Sequence, residues 1–245
     1  MLSALRLAGK RLFYPGFDLH TRSRLRWLPK FFISGPVETL DAGCGNGALS
    51  YAAAKLGNHV TSISFCATDI ERIKKYFSAF ESSLNIHFET MNLYDLNKLD
   101  DGIFDQIICS ETLEHIMNDR LIIKYFKRLL KPRGILHLCC PYALHPVCNI
   151  ERFIPPQENG GHVRNGYTIE SYKTLIEPEG FQIIEQFGVG SLSLVKCDAL
   201  LRKLRHKFGD IASLPLFLFI LPFLKFIDTG NPPIPFSLYI KAIKT

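Results

Sequence analysis

The sequence predicts a single α/β domain in which a mostly parallel sheet carries helices on both faces. Short apolar runs alternate with runs of helical periodicity between residues 37 and 243, which is the pattern of βαβ units. A glycine-rich stretch, Asp41-Ala-Gly-Cys-Gly-Asn-Gly47, joins the first apolar run to the first helical run. A chain of 245 residues with 47% hydrophobic composition can bury one large core.

Seven short apolar runs predict the strands, and four longer amphipathic runs predict the helices between them. The strands are expected at residues 37–41, 59–64, 86–91, 104–109, 134–140, 181–187 and 236–243. The helices are expected near residues 47–56, 68–83, 118–130 and 168–178.

The net charge of +6 is concentrated at the N-terminus. Residues 1–34 hold seven Lys or Arg and one acid, and the remaining residues 35–245 hold 22 basic and 22 acidic residues. A neutral body argues against a nucleic-acid partner, because tracking a phosphate backbone requires excess positive charge. Residues 1–34 are therefore predicted to form a basic arm, which is a solvated leader, a flexible lid or a surface for anionic lipid.

Seven scattered cysteines without C-x-x-C spacing indicate reduced, buried thiols and hence a cytoplasmic protein. Residues 1–17 are basic, free of acidic residues and partly apolar, so an organellar transit peptide is the alternative.

Two segments fall outside the alternating pattern of the domain at residues 35–245. Residues 142–167 form a Pro- and Gly-rich loop after the fifth strand, and such long loops are usually functional lids. Residues 192–232 form a basic and then very apolar insertion before the last strand. Its apolar run is too short and too interrupted by prolines to be a membrane span. It is therefore expected to pack over the sheet, to join copies of the chain, or to anchor the protein peripherally to a membrane.

The glycine-rich stretch is suited to a small-molecule ligand, because glycine lets the backbone turn sharply and approach the ligand closely. Its spacing D-x-G-x-G-x-G resembles the first motif of class I S-adenosylmethionine-dependent methyltransferases, of the methyltransferase type 11/12 group. The later stretch Ser110-Glu-Thr-Leu-Glu-His115 is similar to that of ubiquinone-biosynthesis O-methyltransferases.

This resemblance covers roughly residues 35–190. It implies a Rossmann-like sheet of seven strands whose last strand is antiparallel, with S-adenosyl-L-methionine as the cofactor. The loop would lie along the methionine part of the cofactor. Its implied cofactor residues are Asp41, Gly43, Cys44, Gly45 and Gly47.

The family usually has an acid at the end of the second strand that binds both ribose hydroxyls. That position is Ser64 here, and a serine cannot be an anionic bidentate acceptor. The segment is closer to the cyclopropane-fatty-acid synthase branch, which uses a later polar residue, here Asp69 at a predicted helix start. Asp69 is thus implied to bind ribose beside Ser64, or it only begins the helix.

Asn92 stands where the family contacts the adenine amino group through an Asp or Asn, with Leu93 offering its backbone. Ser110, at the end of the fourth strand, completes the implied cofactor residues.

The stretch after the fourth strand contains Glu111, Glu114 and His115, residues associated with a divalent metal in the ubiquinone enzymes. Two carboxylates and an imidazole suit such a cation. The same pattern is widespread among relatives not known to use a metal, so structural hydrogen bonding is the favoured reading of these residues.

Methyl transfer needs a general base only when the acceptor is a neutral hydroxyl. The base is expected to be His162 in the loop, followed by His115 and His145. Arg164 and Tyr167 are predicted to orient an acidic or glycan acceptor. Tyr142 is predicted to flank the methyl group.

The expected function is therefore S-adenosylmethionine-dependent O-methylation of a small lipophilic or lipid-linked acceptor, with possible peripheral membrane contact. One alternative is methylation of a sugar or glycan intermediate, favoured if Arg164 and Glu151 face the cofactor. Another is a non-catalytic methyltransferase-like binding protein, which Ser64 suggests and the complete glycine motif opposes.

Overall fold

The fold was analysed in a computed structural model that describes residues 14–81, 83–148 and 157–245. Its centre is a sheet of seven strands in the order β3-β2-β1-β4-β5-β7-β6. The strands are β1 Glu38–Ala42, β2 His59–Ser64, β3 Ile86–Thr90, β4 Phe104–Ser110, β5 Leu130–Pro141, β6 Phe181–Val189 and β7 Ser237–Lys244.

Strands β1 to β5 pair in parallel, and β7 runs antiparallel to both β5 and β6. The carboxyl ends of the five parallel strands therefore meet at one edge of the sheet. The order reverses at β1, whose neighbours β2 and β4 lead in opposite directions across the sheet. This topology confirms the predicted fold class, and the crevice at such a reversal is where α/β sheets bind ligands.

Helices cover both faces of the sheet. They are α1 Leu19–Trp27, α2 Ala48–Lys55, α3 Ala67–Phe80, α4 Asp119–Leu129, α5 Ile169–Ile176, α6 Leu192–Ile220 and α7 Leu224–Ile227. The residues of β4 alternate between the two cores because successive strand side chains point to opposite faces. Ile107 packs with Phe126 of α4 and Tyr172 of α5, whereas Ile108 packs with Leu28 and with Leu49 of α2.

Each predicted strand and helix is present, with bounds that differ by a few residues. The largest difference is at β5, which begins at Leu130 rather than at residue 134. In the segment Lys131–Gly134, Arg133 has a φ of +61°. Glycine adopts this backbone conformation without strain, whereas an arginine does not.

Residues 14–34 pack on the domain and so do not form a solvated leader, which was one of the three alternatives for the basic arm. Their helix α1 begins at Leu19, and the side chain of the preceding Asp18 caps it by accepting from the backbone N–H of His20 at 3.0 Å. Leu19, Leu28 and Phe32 are buried against the domain. Seven basic side chains in one stretch concealed these apolar positions, and the rest of the predicted arm, residues 1–13, lies outside the described residues.

The insertion before β7 is mostly helical. Helix α6 is interrupted at Gly209, where φ and ψ are +82° and 175°, and a short 3₁₀ turn at Leu221–Phe223 leads into α7. Leu194, Leu201 and Phe217 of α6 pack with Leu19 of α1 in a separate apolar cluster. The insertion and α1 thus stabilise each other.

Candidate functional site

A cleft of about 370 Å³ opens at the carboxyl ends of β1, β2 and β4. Its lining comes from the loops after these strands, from the start of α3 and from the residues after β3, because the parallel strands bring these ends together. The residues that line it are Gly43, Gly45, Ile63, Ser64, Phe65, Asp69, Met91, Asn92, Leu93, Glu111, Thr112, His115, Ile116, Glu158 and Gly160.

The glycine loop forms one wall of the cleft. Gly43, Gly45 and Gly47 have φ values of +90°, +53° and +75°, which side chains adopt only with strain. A Cβ on Gly43 would lie 2.3 Å from the Thr112 hydroxyl, and one on Gly47 would lie 2.9 Å from the Phe77 ring. A Cβ on Gly45 would meet no heavy atom within 4 Å. Gly43 and Gly47 are therefore required by packing, whereas Gly45 leaves open space in the cleft.

Asp41 and Cys44 belong to the same loop but lie beneath it. The Asp41 side chain is buried and accepts a hydrogen bond of 2.5 Å from the Ser50 hydroxyl in α2. Burial raises the pKa of Asp41 to about 6. Cys44 packs with Ile70 and Phe77 of α3. Neither side chain lines the cleft, so this acid acts on the loop by joining β1 to α2.

Ser64 and Asp69 face the cleft from the end of β2 and the first turn of α3. Ser64 is buried, and its hydroxyl accepts from the backbone N–H of Cys66 at 3.3 Å. The Asp69 carboxylate is 36% exposed and pairs with Arg72 at 2.7 Å. The structure therefore brings the serine and the later acid to the same wall, with the acid the more accessible of the two.

Asn92 and Leu93 line the cleft just after β3, the strand next to β2. The Asn92 side-chain oxygen accepts from the backbone N–H of Tyr94 at 3.0 Å and so caps the turn that follows. A carbonyl oxygen has two lone pairs, and the amide nitrogen has two protons, so the side chain retains capacity for a ligand. The Tyr94 hydroxyl donates to Glu158 of the loop after β5 at 2.6 Å.

Glu111 follows β4 with a φ of +52°, an unusual conformation for this residue type. Its side chain accepts from the Ser237 hydroxyl at 2.8 Å and lies 3.5 Å from the Arg24 guanidinium of α1. The neighbouring Ser110 hydroxyl is buried and makes no hydrogen bond within the described part of the chain, and it does not line the cleft. Glu111 thus joins the cleft to α1 and β7.

Glu114, His115 and His162 come together beside the cleft, with one ligand atom from each within 4.8 Å of the others. The His115 and His162 rings are in edge contact at 4.6 Å between centroids. The expected metal candidates included Glu111, which the structure instead turns toward Arg24 and Ser237. The sequence spacing could not reveal this, because the positive φ of Glu111 redirects its side chain.

Glu114 is fully buried, and neither carboxylate oxygen has a hydrogen-bond partner among the described residues. Burial, reinforced by the charge of Glu111, raises the pKa of Glu114 to about 8. The Glu114, His115 and His162 group contains the nitrogen and oxygen donors that a borderline divalent cation accepts.

The described parts of the loop over residues 142–167 are fastened to the domain. Arg164 donates to the backbone oxygens of Ile116 and Met117 and pairs with Asp119. The Tyr167 hydroxyl donates to the same Asp119 at 2.7 Å. These side chains hold the loop in place and do not line the cleft, so the role of Arg164 and Tyr167 in orienting an acceptor stays a prediction.

The other residues predicted in this loop have different positions. His145 is buried, its pKa is lowered by burial, and its ring faces Phe236 rather than the cleft. Tyr142 is partly buried and packs against the main core. Glu151 lies outside the described residues.

Three cleft features had no counterpart in the sequence prediction. Thr112 fills the space beside Gly43, Glu158 brings the loop after β5 over Asn92, and Arg24 reaches Glu111 from α1. The sequence signal for Thr112 was its place inside the motif after β4. No sequence signal existed for Arg24 or Glu158, because their contacts join distant parts of the chain.

Comparison with known proteins agrees with this geometry. A family model described as a methyltransferase domain matches residues 40–138. The ubiquinone biosynthesis O-methyltransferase of Xanthomonas campestris pv. campestris is 39% identical over 102 residues, which cover 42% of this chain and 42% of that protein. Its counterpart in Xanthomonas euvesicatoria pv. vesicatoria is 37% identical over 115 residues, 47% of each chain. The matched segment spans less than half the length of these curated relatives.

Two solved structures extend the similarity of the fold to most of the chain. An S-adenosylmethionine-dependent methyltransferase from Mesorhizobium loti superposes with a TM-score of 0.57 at 15% identity, covering 91% of this chain and 100% of that one. A cyclopropane synthase from Mycobacterium tuberculosis has a TM-score of 0.61 at 14% identity, with 91% and 84% covered. Over residues 40–138 the chain is therefore similar in sequence to a methyltransferase domain family, and its sheet order and glycine loop give it the fold seen in S-adenosylmethionine-dependent methyltransferases.

Proposed function

We propose that the protein uses S-adenosyl-L-methionine to methylate an oxygen atom of a small lipophilic or lipid-linked acceptor. The proposal rests on one observation, which is that the cleft has open space beside Gly45 and is also lined by polar groups at Ser64, Asp69, Asn92 and Leu93. The relatives whose names describe O-methylation in ubiquinone biosynthesis support an oxygen acceptor.

The residues of the cleft suit the three parts of the cofactor. The backbone at Gly45 would border the methionine part, Asp69 with Ser64 would accept from the ribose hydroxyls, and Asn92 with the Leu93 backbone would bind the adenine edge. A carboxylate is the stronger acceptor for a hydroxyl donor, so Asp69 would take over the ribose contact that Ser64 is unable to provide.

When bound, S-adenosyl-L-methionine supplies an electrophilic methyl group on a positively charged sulfur. The task of the chain is then to hold the acceptor oxygen in line and to exclude water. Glu158 and Gly160 extend the loop after β5 over the cleft, which supports its role as a lid. The general base that removes a hydroxyl proton would be His115, which lines the cleft, or His162, whose ring contacts that of His115.

The proposal includes a cytoplasmic location and peripheral contact with the membrane that holds the acceptor. The seven cysteines support a reducing compartment, since they are scattered without C-x-x-C spacing and five of them are buried.

Isothermal titration with S-adenosyl-L-methionine tests the cofactor site directly. Binding by the native protein is the expected result. If the native protein fails to bind while the Ser64→Asp variant binds, the cofactor site has lapsed and the proposed activity is wrong.

The acceptor class is tested by incubating the protein and radiolabelled cofactor with fractionated cell extract. Label in the organic phase is expected, with the Gly45→Ala variant as the matched control. Label in the soluble glycan pool would instead identify the sugar alternative, and label in the RNA pool would contradict the argument from charge. Binding without transfer to any pool would identify a non-catalytic binding protein. Repeating the assay after EDTA treatment tests whether the Glu114, His115 and His162 group requires a cation.

A further inference from the structure

The helical insertion at residues 192–227 is apolar on its exposed side as well as on its buried side. After the interruption at Gly209, Phe217 and Ile220 are buried, whereas Ile211 and Phe219 are 87% and 68% exposed. The segment Leu192–Ile227 is long and apolar enough to cross a membrane by composition, with a mean hydropathy of 1.9 in its most apolar window, yet only 17% of that window is buried. A helix that is apolar all round requires an apolar environment on both sides.

The exposed residues form one face after Gly209. We call these residues the apolar face, and they are Ile211, Leu218, Phe219, Phe223 and Phe226. Positions 211, 218, 219 and 226 recur at the spacing of one side of a helix, and the Phe219 and Phe223 rings are in contact at 5.6 Å. A contiguous patch of this kind marks a site of association rather than isolated surface residues.

The insertion that carries the apolar face has an excess of positive charge, most of it just before Gly209. The segment from Leu192 to Ile227 has six Lys or Arg and two Asp. Asp198 is buried beside Arg202 and His20, and Asp210 pairs with Arg205 at 2.7 Å. The ammonium group of Lys207 lies 5.0 Å from the centre of the Phe208 ring, and that of Lys225 lies 4.9 Å from the Phe226 ring.

We infer that the apolar face binds the surface of an anionic lipid bilayer, with its aromatic side chains inserted and the lysines at the headgroup level. The charge excess selects this occupant, because a second copy of the chain would place the same cations against each other. A transmembrane orientation is opposed by the interruption at Gly209 and by the packing of Phe217 and Ile220 on the domain.

Helix α1 connects this face to the cleft. Asp198 of the insertion accepts from the Leu19 backbone N–H at 3.0 Å, and Asp228, just after α7, accepts from the Ser23 hydroxyl at 2.9 Å. From the same helix, Arg24 reaches Glu111 at the cleft. A protein held by its apolar face would therefore keep the cleft in a fixed relation to the lipid surface. The inference deepens the proposed function by assigning its membrane contact to the apolar face, and it rests on that function only for the purpose of the contact. Vesicle binding itself needs neither cofactor nor acceptor.

Co-sedimentation of the full chain with vesicles tests the inference. Binding is expected to vesicles of equal parts phosphatidylcholine and phosphatidylglycerol, to be weaker with phosphatidylcholine alone, and to fall as salt is added. The Phe219→Ser/Phe226→Ser double variant is expected to lower the partition coefficient by roughly 10- to 100-fold, since two aromatic rings lose their apolar contact.

Matched controls separate the apolar face from general surface effects. Ile184→Ser changes a residue that is 50% exposed on β6 and should leave vesicle binding unchanged. Lys207→Gln/Lys225→Gln should weaken binding to the anionic vesicles, while Lys124→Gln on α4 should not.

Failure of the native protein to bind either vesicle would overturn the inference, and so would binding unaffected by the double variant. A native dimer in sedimentation equilibrium that the double variant converts to monomer, without vesicle binding, would show that a second copy covers the face. Cofactor titration of the same proteins distinguishes these outcomes from failure of the proposed function.

Discussion

Gly45 offers the sharpest test of the cofactor cradle, because a side chain added there meets none of the residues that the structure describes. Its φ is +53°, and a Cβ would have no heavy atom within 4 Å. Gly43 and Gly47 are less informative, since their side chains would collide with Thr112 and Phe77. Gly45→Ala therefore places one methyl group in the cleft without overpacking the fold.

The cost to folding has a matched control in the same chain. Gly102 has a φ of +63°, and its Cβ would also meet no heavy atom within 4 Å. It precedes β4, at the opposite edge of the sheet from the cleft. A left-handed conformation costs an alanine about 1–2 kcal/mol, so Gly45→Ala and Gly102→Ala should lower the free energy of unfolding by the same amount. Urea unfolding measures this quantity.

The effect on the cofactor should separate the two variants. A ligand that lies against Gly45 must shift to make room for the methyl group, and overpacking of this kind costs about 1–3 kcal/mol. The dissociation constant for S-adenosyl-L-methionine should therefore rise about 5- to 150-fold in Gly45→Ala and stay unchanged in Gly102→Ala. Equal affinities of the two variants in isothermal titration would refute the placement of the cofactor along this loop.

Three further predictions concern other residues. Asp69→Asn should weaken cofactor binding roughly tenfold in isothermal titration, because a charged hydrogen-bond acceptor is lost. Glu71→Gln on the exposed side of the same helix should leave the affinity unchanged, and equal effects of the two variants would exclude Asp69 as the ribose ligand. Because burial raises the pKa of Glu114 from 4.5 to about 8, its contribution to stability is complete below pH 4.5 and is lost as the pH rises through about 8. Glu114→Gln should thus become more stable than the native protein by a few kcal/mol over that interval in unfolding measurements, and parallel pH curves would contradict this account. Arg133→Gly should raise the free energy of unfolding in urea titration by about 1 kcal/mol because it relieves a φ of +61°, and an unchanged or lower value would contradict this account.

The strands and helices of the sheet could be predicted because their patterns are local. Alternating short apolar runs located all seven strands, and the glycine spacing located the turn between β1 and α2. Helix α1 escaped prediction because its composition is dominated by arginine, and its apolar positions become meaningful only when α6 is packed beside them.

The residues of the candidate site likewise comprise some that local sequence predicts and some that it does not. Residues close to strand ends, such as Ser64, Asp69 and Asn92, reached the cleft because parallel strands end at one edge. The contacts of the long loop after β5 could not be predicted in this way. Arg164 and Tyr167 found partners on Asp119, which is distant in sequence and gave no local sign of the contact.

The sequence alone determined the order of elements, the glycine loop and the identity of the residues at the strand ends, since each depends on neighbours within a few positions. Only the tertiary structure decided that Asp41 lies beneath the loop, that Glu111 turns toward Arg24, and that His162 joins Glu114 and His115. These outcomes depend on backbone direction and on contacts between distant segments. The apolar run after Gly209 depended on both the sequence and the tertiary structure. Its composition indicated an apolar environment, and its packing showed which side of the helix stays exposed.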